Sequence, residues 1–582
     1  MTKYVNTNYT IYNIYSMGIL KLNRDIVQDS SLFTNYPTNK IVIDGKNIMY
    51  YVWTQTKMNR FRPFFDIVSY QTKLSEYFDF LTNKLNFKIN TVIMDGGTEV
   101  NKLSTLFERQ QDRMNDLKKI TDFLNAKAST DIIDISILHP FIEYYFFETV
   151  KSLGINISIS TREADNDVAI CARDTGAMVL SNDSDYYFMN IPMGYIPHFM
   201  LEKNDLRCYR INLLLEKYKL NYDDLSTISN ILGNDYHEPL ISVMENTRLN
   251  KAIALLKNPA GYELKPKTHH GVVCKPIDDD IIYKHIVNKY DSHLIDIISG
   301  IGFIGTVVLE NPQKPSIWLA SKHIRQCLYH LIDPNETFKE NMRNVYNNNV
   351  FEWVNISTNN IAELVDPFNL NIYGEHNLDP NDLLFVISAL SLTSKSNEDK
   401  SILVTNSLVE ALVAAYLDTN YIISGNKTKK YSLDSVHIVS QWRGILLCLL
   451  MLSQYQFNGP TKLHLTEDQK ETVKLLRFEN YCKKMDSSNK LKKLLETINI
   501  NGIDAKMISM LGFHQYYLEP ETINKSDEFK NLVRIITTNA NNTIIKSVKA
   551  KIIKQTVQMK SSNKKSTNKS STNMFALLAD SD

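Results

Sequence analysis

Six acidic residues fall where several strand candidates end. Asp44 directly follows the β-branched run Ile41–Ile43, and Asp95 directly follows Thr91–Met94. Asp183 and Asp185 come after Ala177–Leu180, within the turn Ser181-Asn182-Asp183-Ser184-Asp185. Glu163 and Asp165 follow Ile155–Ser160 and open a helix-like segment. In open parallel sheets ligands bind beyond the carboxyl ends of the strands, so acids at several strand ends converge. Two carboxylates about 4 Å apart repel by roughly 4 kcal/mol at an effective dielectric near 20. Such a cluster either takes up protons or takes up cations. A set of oxygens without organising His or Cys suits a hard divalent ion such as Mg²⁺ or Mn²⁺. Any one of these Asp residues could instead be a helix cap or a turn residue. Caps alone do not require an acid at every strand end. Lys102, Arg109 and Arg113 share one face of the helix that begins soon after Asp95. Beside a metal site such a face is a phosphate clamp; elsewhere it is a solvated surface.

The elements that would position these groups are legible in outline. Up to about Met244, short β-branched runs alternate with helical patterns such as Lys102–Leu124 and Ala164–Arg173. That alternation predicts an α/β fold, a parallel sheet flanked by helices. Asn258–Pro276 reads as a linker or long loop. From about Ile277 to Ile553 the pattern is mainly helical, with apolar residues at helical spacing in Ser401–Leu417 and Val439–Leu452. Between Glu528 and Asp580 there is no acidic residue, and Ser561–Thr572 holds only Ser, Thr, Asn and Lys. A segment of that composition does not fold alone. Its Lys560, Lys564, Lys565 and Lys569 are expected to form a disordered phosphate-binding arm, or else a nuclear-import signal or inert linker. The apolar island Asn573–Leu578 could dock in a partner protein's groove, or be a frayed end. The expected divisions are an extension over 1–16, an α/β domain over 17–257, the linker over 258–276, a helical region over 277–555 and a basic tail over 556–582.

Composition narrows the class. Of 582 residues, 43% are apolar and 22% charged, the balance of a globular protein, and the net charge of +1 points to no particular partner. The six cysteines are scattered without a CxxC pair and read as free thiols. Residues 1–16 lack the apolar region of a secretion signal. The longest apolar runs, such as Gly444–Leu452, fall short of the roughly 20 residues of a spanning helix. The expectation is an intracellular protein, nuclear or cytoplasmic, neither secreted nor in a membrane. Gly300–Gly305 fits G-x-G-x-x-G by letter, but a strand-like Thr-Val-Val run follows where a dinucleotide site needs a helix. His269, His270 and Cys274 lack an evident fourth ligand and read as a loop.

These residues also resemble a known family. Met17-Gly18-Ile19 is similar to the start of flap-endonuclease-like proteins, and Ile41–Gly45 and Met94–Gly97 resemble their first two metal motifs. Glu163-Ala164-Asp165 resembles E-A-[DE], and Asp183-Ser184-Asp185 the D-x-D strand end. Leu232-Gly233-Asn234-Asp235-Tyr236 resembles the motif that supplies the last carboxylate. Asp95-Gly96-Gly97 before Lys102, and Asn182–Asp185 leading to Gly194–Pro197, are similar to the Asteroid branch. The resemblance covers about Met17 to Asp235. It implies a PIN-like fold and a structure-selective endonuclease on DNA with branched or single-stranded ends. It also implies two Mg²⁺ or Mn²⁺ ions, Asp44, Asp95, Glu163 and Asp165 favouring one and Asp183, Asp185 and Asp235 the other. Lys102 and Arg109 would then contact the scissile phosphate, and Tyr50 would stack on a base or else pack in the core. An RNA endonuclease, and a catalytically silent scaffold or RNA-binding regulator, are the alternatives; silent relatives are expected to lose carboxylates, and all seven are present. Three features depart from the pattern. His237–Asn258 has no Gly-hydrophobic-Gly hairpin, which puts double-strand binding in doubt; Asp165 is one methylene shorter than the usual Glu; and sixteen residues precede Met17, an extension that folds aside or is not made.

Overall fold

The computed structural model describes residues 19, 22–55, 58–59, 67–125, 132–133, 137–203, 205–243, 247–258, 263–267, 292–333, 335–347, 349–358, 388–389, 433–458 and 527–539. Its first region is built on a seven-stranded sheet. The strands are β1 (Phe33–Asn35), β2 (Lys40–Asp44), β3 (Lys88–Met94), β4 (Ile157–Ile159), β5 (Met178–Ser181), β6 (Tyr195–Pro197) and β7 (Arg207–Tyr209). Their order is β1-β7-β6-β5-β2-β3-β4. β2 runs parallel to both β3 and β5, β3 parallel to β4, and β5 parallel to β6, while β7 is antiparallel to its neighbours.

The strand sequences explain this arrangement. β2 has one exposed residue, Lys40, and is then buried on both faces, as parallel strands covered by helices must be. Side chains alternate between two cores. Ile41, Ile43, Val92, Met94, Met178 and Leu180 enter one, while Val42, Ile93 and Val179 enter the other. The first core is closed by α1 (Gly45–Thr54), α2 (Ile67–Asp79) and, beyond α3 (Leu103–Asn125), by α4 (Ile142–Ser152). The second is closed by α5 (Asp165–Thr175), α6 (Tyr222–Leu232) and α7 (Arg248–Lys257). The α/β class is thus the one predicted.

The chain beyond residue 291 adds α8 (Ser292–Ile298), α9 (Lys322–Ile332), α10 (Leu433–Asn458) and α11 (Asp527–Asn539). Beside these helices stands a three-stranded sheet that the sequence pattern does not separate from them. It consists of β8 (Phe303–Ile304), β9 (Phe338–Asn344) and β10 (Val350–Ile356). Its strand β9 buries Glu340 and Arg343, polar positions that conceal the strand pattern. Glu340 forms two bonds with Arg325, at 2.7 and 2.8 Å, and Arg343 pairs with Glu310 at 2.9 Å. This sheet region packs on α3. Val307 joins Met114, Leu117 and Ile120 in a small core, and the rings of Phe107 and Trp353 meet edge to face with centroids 6.0 Å apart. Gly300–Gly305 contains β8 and opens no helix, so no dinucleotide loop forms there. Among the described residues no helix is long and apolar enough to cross a membrane. Cys171, Cys208, Cys327 and Cys448 are free thiols. Residues 1–16, Ser401–Leu417, His269, His270, Cys274, the tail lysines and Asn573–Leu578 lie outside the described residues.

Candidate active site

With β2 between β3 and β5, the turns after all three strands open at one end of the sheet. Asp44 closes β2 and is 3% exposed. Its carboxylate accepts the Asn47 amide of α1 at 3.1 Å and the Ser181 hydroxyl at 2.8 Å. The cap reading and the site reading are therefore both true of this residue. Asp95 accepts the Ala164 amide at 3.0 Å. The Gly96 and Gly97 amides donate to the carbonyls of Arg162 and Thr161, so the two acid-bearing loops run side by side. A Cβ on Gly96 would collide with the Ser160 carbonyl. Asp183 accepts the Asp185 amide at 3.0 Å while its own amide donates to Ser181. Asp235 follows α6, and its carbonyl accepts the Thr105 hydroxyl at 3.1 Å.

Asp44, Asp95, Glu163, Asp165, Asp183 and Asp235 line one cavity of about 490 Å³, together with Lys102, Arg109, Arg113 and Tyr50. Asp185 is not part of that wall, but its Oδ1 is buried and, among the described residues, has no hydrogen-bond partner. The Lys102 ammonium stands among three carboxylates, 3.0 Å from Glu163, 3.5 Å from Asp235 and 3.7 Å from Asp165. Arg109 bonds Asp235 at 3.0 and 3.3 Å. Both cations are thus paired with the acids, a finer arrangement than the phosphate clamp read from spacing. Arg113 donates to the Tyr50 hydroxyl at 2.7 Å and lies 5.8 Å from that ring's centre.

The acids outnumber their counter-charges, and Asp44, Glu163, Asp165, Asp183 and Asp185 are pushed above the ordinary carboxylate range. Burial, then the neighbouring Asp165 and Asp95, pushes Asp44 up to about 8. Burial and Asp95 push Glu163 up to about 8 against the pull of Lys102. Asp185 is pushed up to about 7, first by burial and then by Asp165 and Asp235. Burial raises Asp165 and Asp183 in the same direction. For Lys102 burial disfavours the charge, but Glu163, Asp165 and Asp235 outweigh it and hold the ammonium charged. Carboxyls raised this far are short of positive charge, which protons or a hard cation can supply. Among the described residues, no group of three His, Cys, Asp or Glu side chains is arranged to hold an ion outright. The Lys102 ammonium takes the central place instead. The donor set, all oxygen, with an orphaned Asp185 oxygen, fits Mg²⁺ or Mn²⁺ in its chemistry.

Several neighbours escape a reading of the sequence. Ser181 and Asn47 fix Asp44 and Asn182, and neutral side chains give no signal beyond that of an ordinary turn. Asp296 of α8 accepts the Thr98 amide at 2.6 Å and the Thr98 hydroxyl at 3.0 Å, anchoring the loop after Asp95 from far along the chain. Lys46 pairs with Glu143 of α4 in the cavity wall.

No protein-family model matches the chain. It is 27% identical over 213 residues to a zebrafish (Danio rerio) protein named single-strand DNA endonuclease ASTE1, covering 34% of this chain and 29% of that one. It is 27% identical over 184 residues to protein asteroid of Drosophila melanogaster, covering 31% and 20%. To asteroid homolog 1 of Schizosaccharomyces pombe it is 25% identical over 262 residues, covering 41% and 46%. The chain therefore spans less than half the length of each of these relatives. The catalytic core of Rad2 in complex with DNA substrate superposes with a TM-score of 0.30 at 15% identity, over 41% of this chain and 68% of that one. The motifs at the strand ends and the matching proteins agree, and over its matched part this chain is similar to the Asteroid proteins.

Proposed function

We propose that the chain is a divalent-metal-dependent, structure-selective endonuclease acting on DNA with single-stranded or branched ends. The observation that carries this reading is the convergence of Asp44, Asp95, Glu163, Asp165, Asp183 and Asp235 on one cavity around Lys102 and Arg109. Asp44, Asp95, Glu163 and Asp165 would hold one Mg²⁺ or Mn²⁺, and Asp183, Asp185 and Asp235 a second. Bound there, such ions supply Lewis acidity for the attacking and leaving oxygens of an in-line displacement. Lys102 and Arg109 would turn from the acids to the scissile phosphate and stabilise its developing charge. Tyr50, held by Arg113, would stack on the neighbouring base. The relative named a single-strand DNA endonuclease supports DNA over RNA. The nuclease unit is taken as residues 17–257, and the lysines from Lys560 to Lys569 as an accessory arm on the same polymer.

The test is the purified full chain against labelled flaps, overhangs, splayed ends and matched RNA, with Mg²⁺, Mn²⁺ or EDTA. Metal-dependent cutting of DNA with single-stranded ends is expected. Cutting of RNA alone would make it an RNA endonuclease. Binding without cutting in either metal would make it a silent scaffold.

A further inference from the structure

The cations of the cavity differ in how their charge is balanced. Lys102 faces three carboxylates, Arg109 faces Asp235, and Lys46 faces Glu143. Lys267 is different. It belongs to the stretch expected to be linker, yet it lines the same cavity. Its ammonium donates to the Thr105 hydroxyl at 3.0 Å. The carboxylate paired with it is Glu108, 3.7 Å away and with a side chain 66% exposed. A neutral hydroxyl and a solvated carboxylate cancel little of a cation's charge.

The position of Lys267 is fixed by the main chain. Its amide donates to the Tyr236 carbonyl at 2.8 Å, and the Glu238 amide donates to the Lys265 carbonyl at 2.9 Å. Pro266 bridges His237 in the same antiparallel pairing. The segment 263–267 is thus laid against the residues that immediately follow Asp235. Thr105, which receives the Lys267 ammonium, also donates to the Asp235 carbonyl. One short chain of hydrogen bonds therefore ties this lysine to the main chain of Asp235, the residue that bears the last carboxylate of the cluster.

We propose that Lys267 is a phosphate-binding residue for the nucleic-acid substrate, taking a backbone phosphate neighbouring the scissile one. Its side chain is 19% exposed, enough to be reached from the cavity, and its main chain is held by backbone hydrogen bonds. With one N–H on the Thr105 hydroxyl, the ammonium keeps two N–H donors to offer to phosphate oxygens. This assignment rests on the nuclease reading of the cavity for the identity of the polymer.

The experiment measures binding of a fluorescent single-stranded DNA to the full chain in Ca²⁺, across a salt series, for wild type, Lys267→Met and Lys267→Arg. Lys267→Met is expected to weaken binding about tenfold, as removal of a charged hydrogen bond does. The slope of log affinity against log salt should flatten by about 0.7, the value for one phosphate contact on a single strand. Lys267→Arg should restore that slope. A second series replaces one linkage at a time with an uncharged methylphosphonate. One linkage beside the cleavage position should weaken wild-type binding and leave Lys267→Met indifferent, which an effect on folding alone would not produce. An unchanged slope, or equal sensitivity to every methylphosphonate in both proteins, overturns the assignment. If wild-type protein binds the DNA but does not cut it in Mn²⁺, the nuclease reading fails while the phosphate contact stands on the binding data. If wild-type protein binds no single-stranded DNA, both fall.

Discussion

Two regions of this protein bury charge, and they do so in opposite ways. Behind β9, Arg325 and Glu340 are both wholly buried and meet through two bonds. The remaining capacity of that pair is met by the Tyr329 hydroxyl, the Trp318 carbonyl and the Ser321 hydroxyl. At the end of the first sheet, six carboxylates line a cavity, of which Glu163, Asp165 and Asp235 are paired with Lys102 and Arg109, and among the described residues Asp185 Oδ1 has no hydrogen-bond partner. A balanced pair holds a fold together and has nothing left to offer a ligand. An unbalanced cluster costs stability and leaves unmet charge that a cation could satisfy.

The sharpest way to break that contrast is to neutralise acids in each region, two in the cluster and one in the pair. Asp183→Asn with Asp185→Asn should reduce single-turnover cleavage in Mn²⁺ to background, with a melting temperature equal to or above that of wild type in EDTA. Glu340→Gln should leave cleavage chemistry intact in whatever protein remains folded, but lose about 3–5 kcal/mol in denaturant titration, the cost of a buried cation without its partner. Equal destabilisation by both changes would mean that the two regions are alike.

Next in size are the cavity cations. Lys102→Ala and Arg109→Ala should each slow the chemical step about 10²-fold, as loss of a transition-state charge donor does, with substrate affinity changing much less. Lys102→Ala should also lower stability in EDTA, because Glu163, Asp165 and Asp235 lose their shared counter-charge, and Mn²⁺ should restore it. Single-turnover rates that stay at the wild-type level would remove both residues from the chemistry.

A smaller effect concerns pH. Asp44 and Glu163 titrate near 8 and Asp185 near 7 in the folded chain, above the ordinary carboxylate range of about 4. Between those values the folded state holds more protons than the unfolded state, so stability in EDTA should fall as pH rises from about 4 through 8. Saturating Mn²⁺ should flatten the upper part of that curve. Thermal melts that rise with pH across this window would show the cluster to be balanced after all.

The smallest expected effect lies in the tail. Removing Lys560–Asp582 deletes Lys560, Lys564, Lys565 and Lys569. Affinity for single-stranded DNA should drop and its salt slope flatten by about 0.7 for each phosphate the tail no longer neutralises, with the chemical step at saturating enzyme unchanged. An affinity and slope identical to full length would leave the tail as a linker or import signal.

Much of the cluster was legible because its acids follow directly on strands whose own residues announce burial. Ile41–Ile43 and Ala177–Leu180 are short, apolar and bounded by turns, so Asp44 and Asp183 are placed by counting alone. Asp296 and Lys267 were not legible, because both reach the site through contacts far apart in sequence. Nothing in a Pro-containing stretch says which part of the chain it will lie against. The second sheet hid for another reason. Phe338–Asn344 reads as a polar segment, and only its pairing with Arg325 and Glu310 makes burial of Glu340 and Arg343 tolerable. Sequence shows the charge and conceals the partner.

The contact between Gly96 and Ser160 has a bearing on how this cluster can vary. Two acid-bearing loops meet there, joined main chain to main chain by the Gly96 and Gly97 amides and, at the Asp95 carboxylate, by the Ala164 amide. Asp95, Glu163 and Asp165 therefore ride on a single rigid block, while Asp235 arrives on a separate one. A side chain at position 96 would wedge between the two loops and part Asp95 from Glu163 and Asp165. The site has few adjustable joints, and that position works as an all-or-none setting where a surface loop would allow gradual retuning.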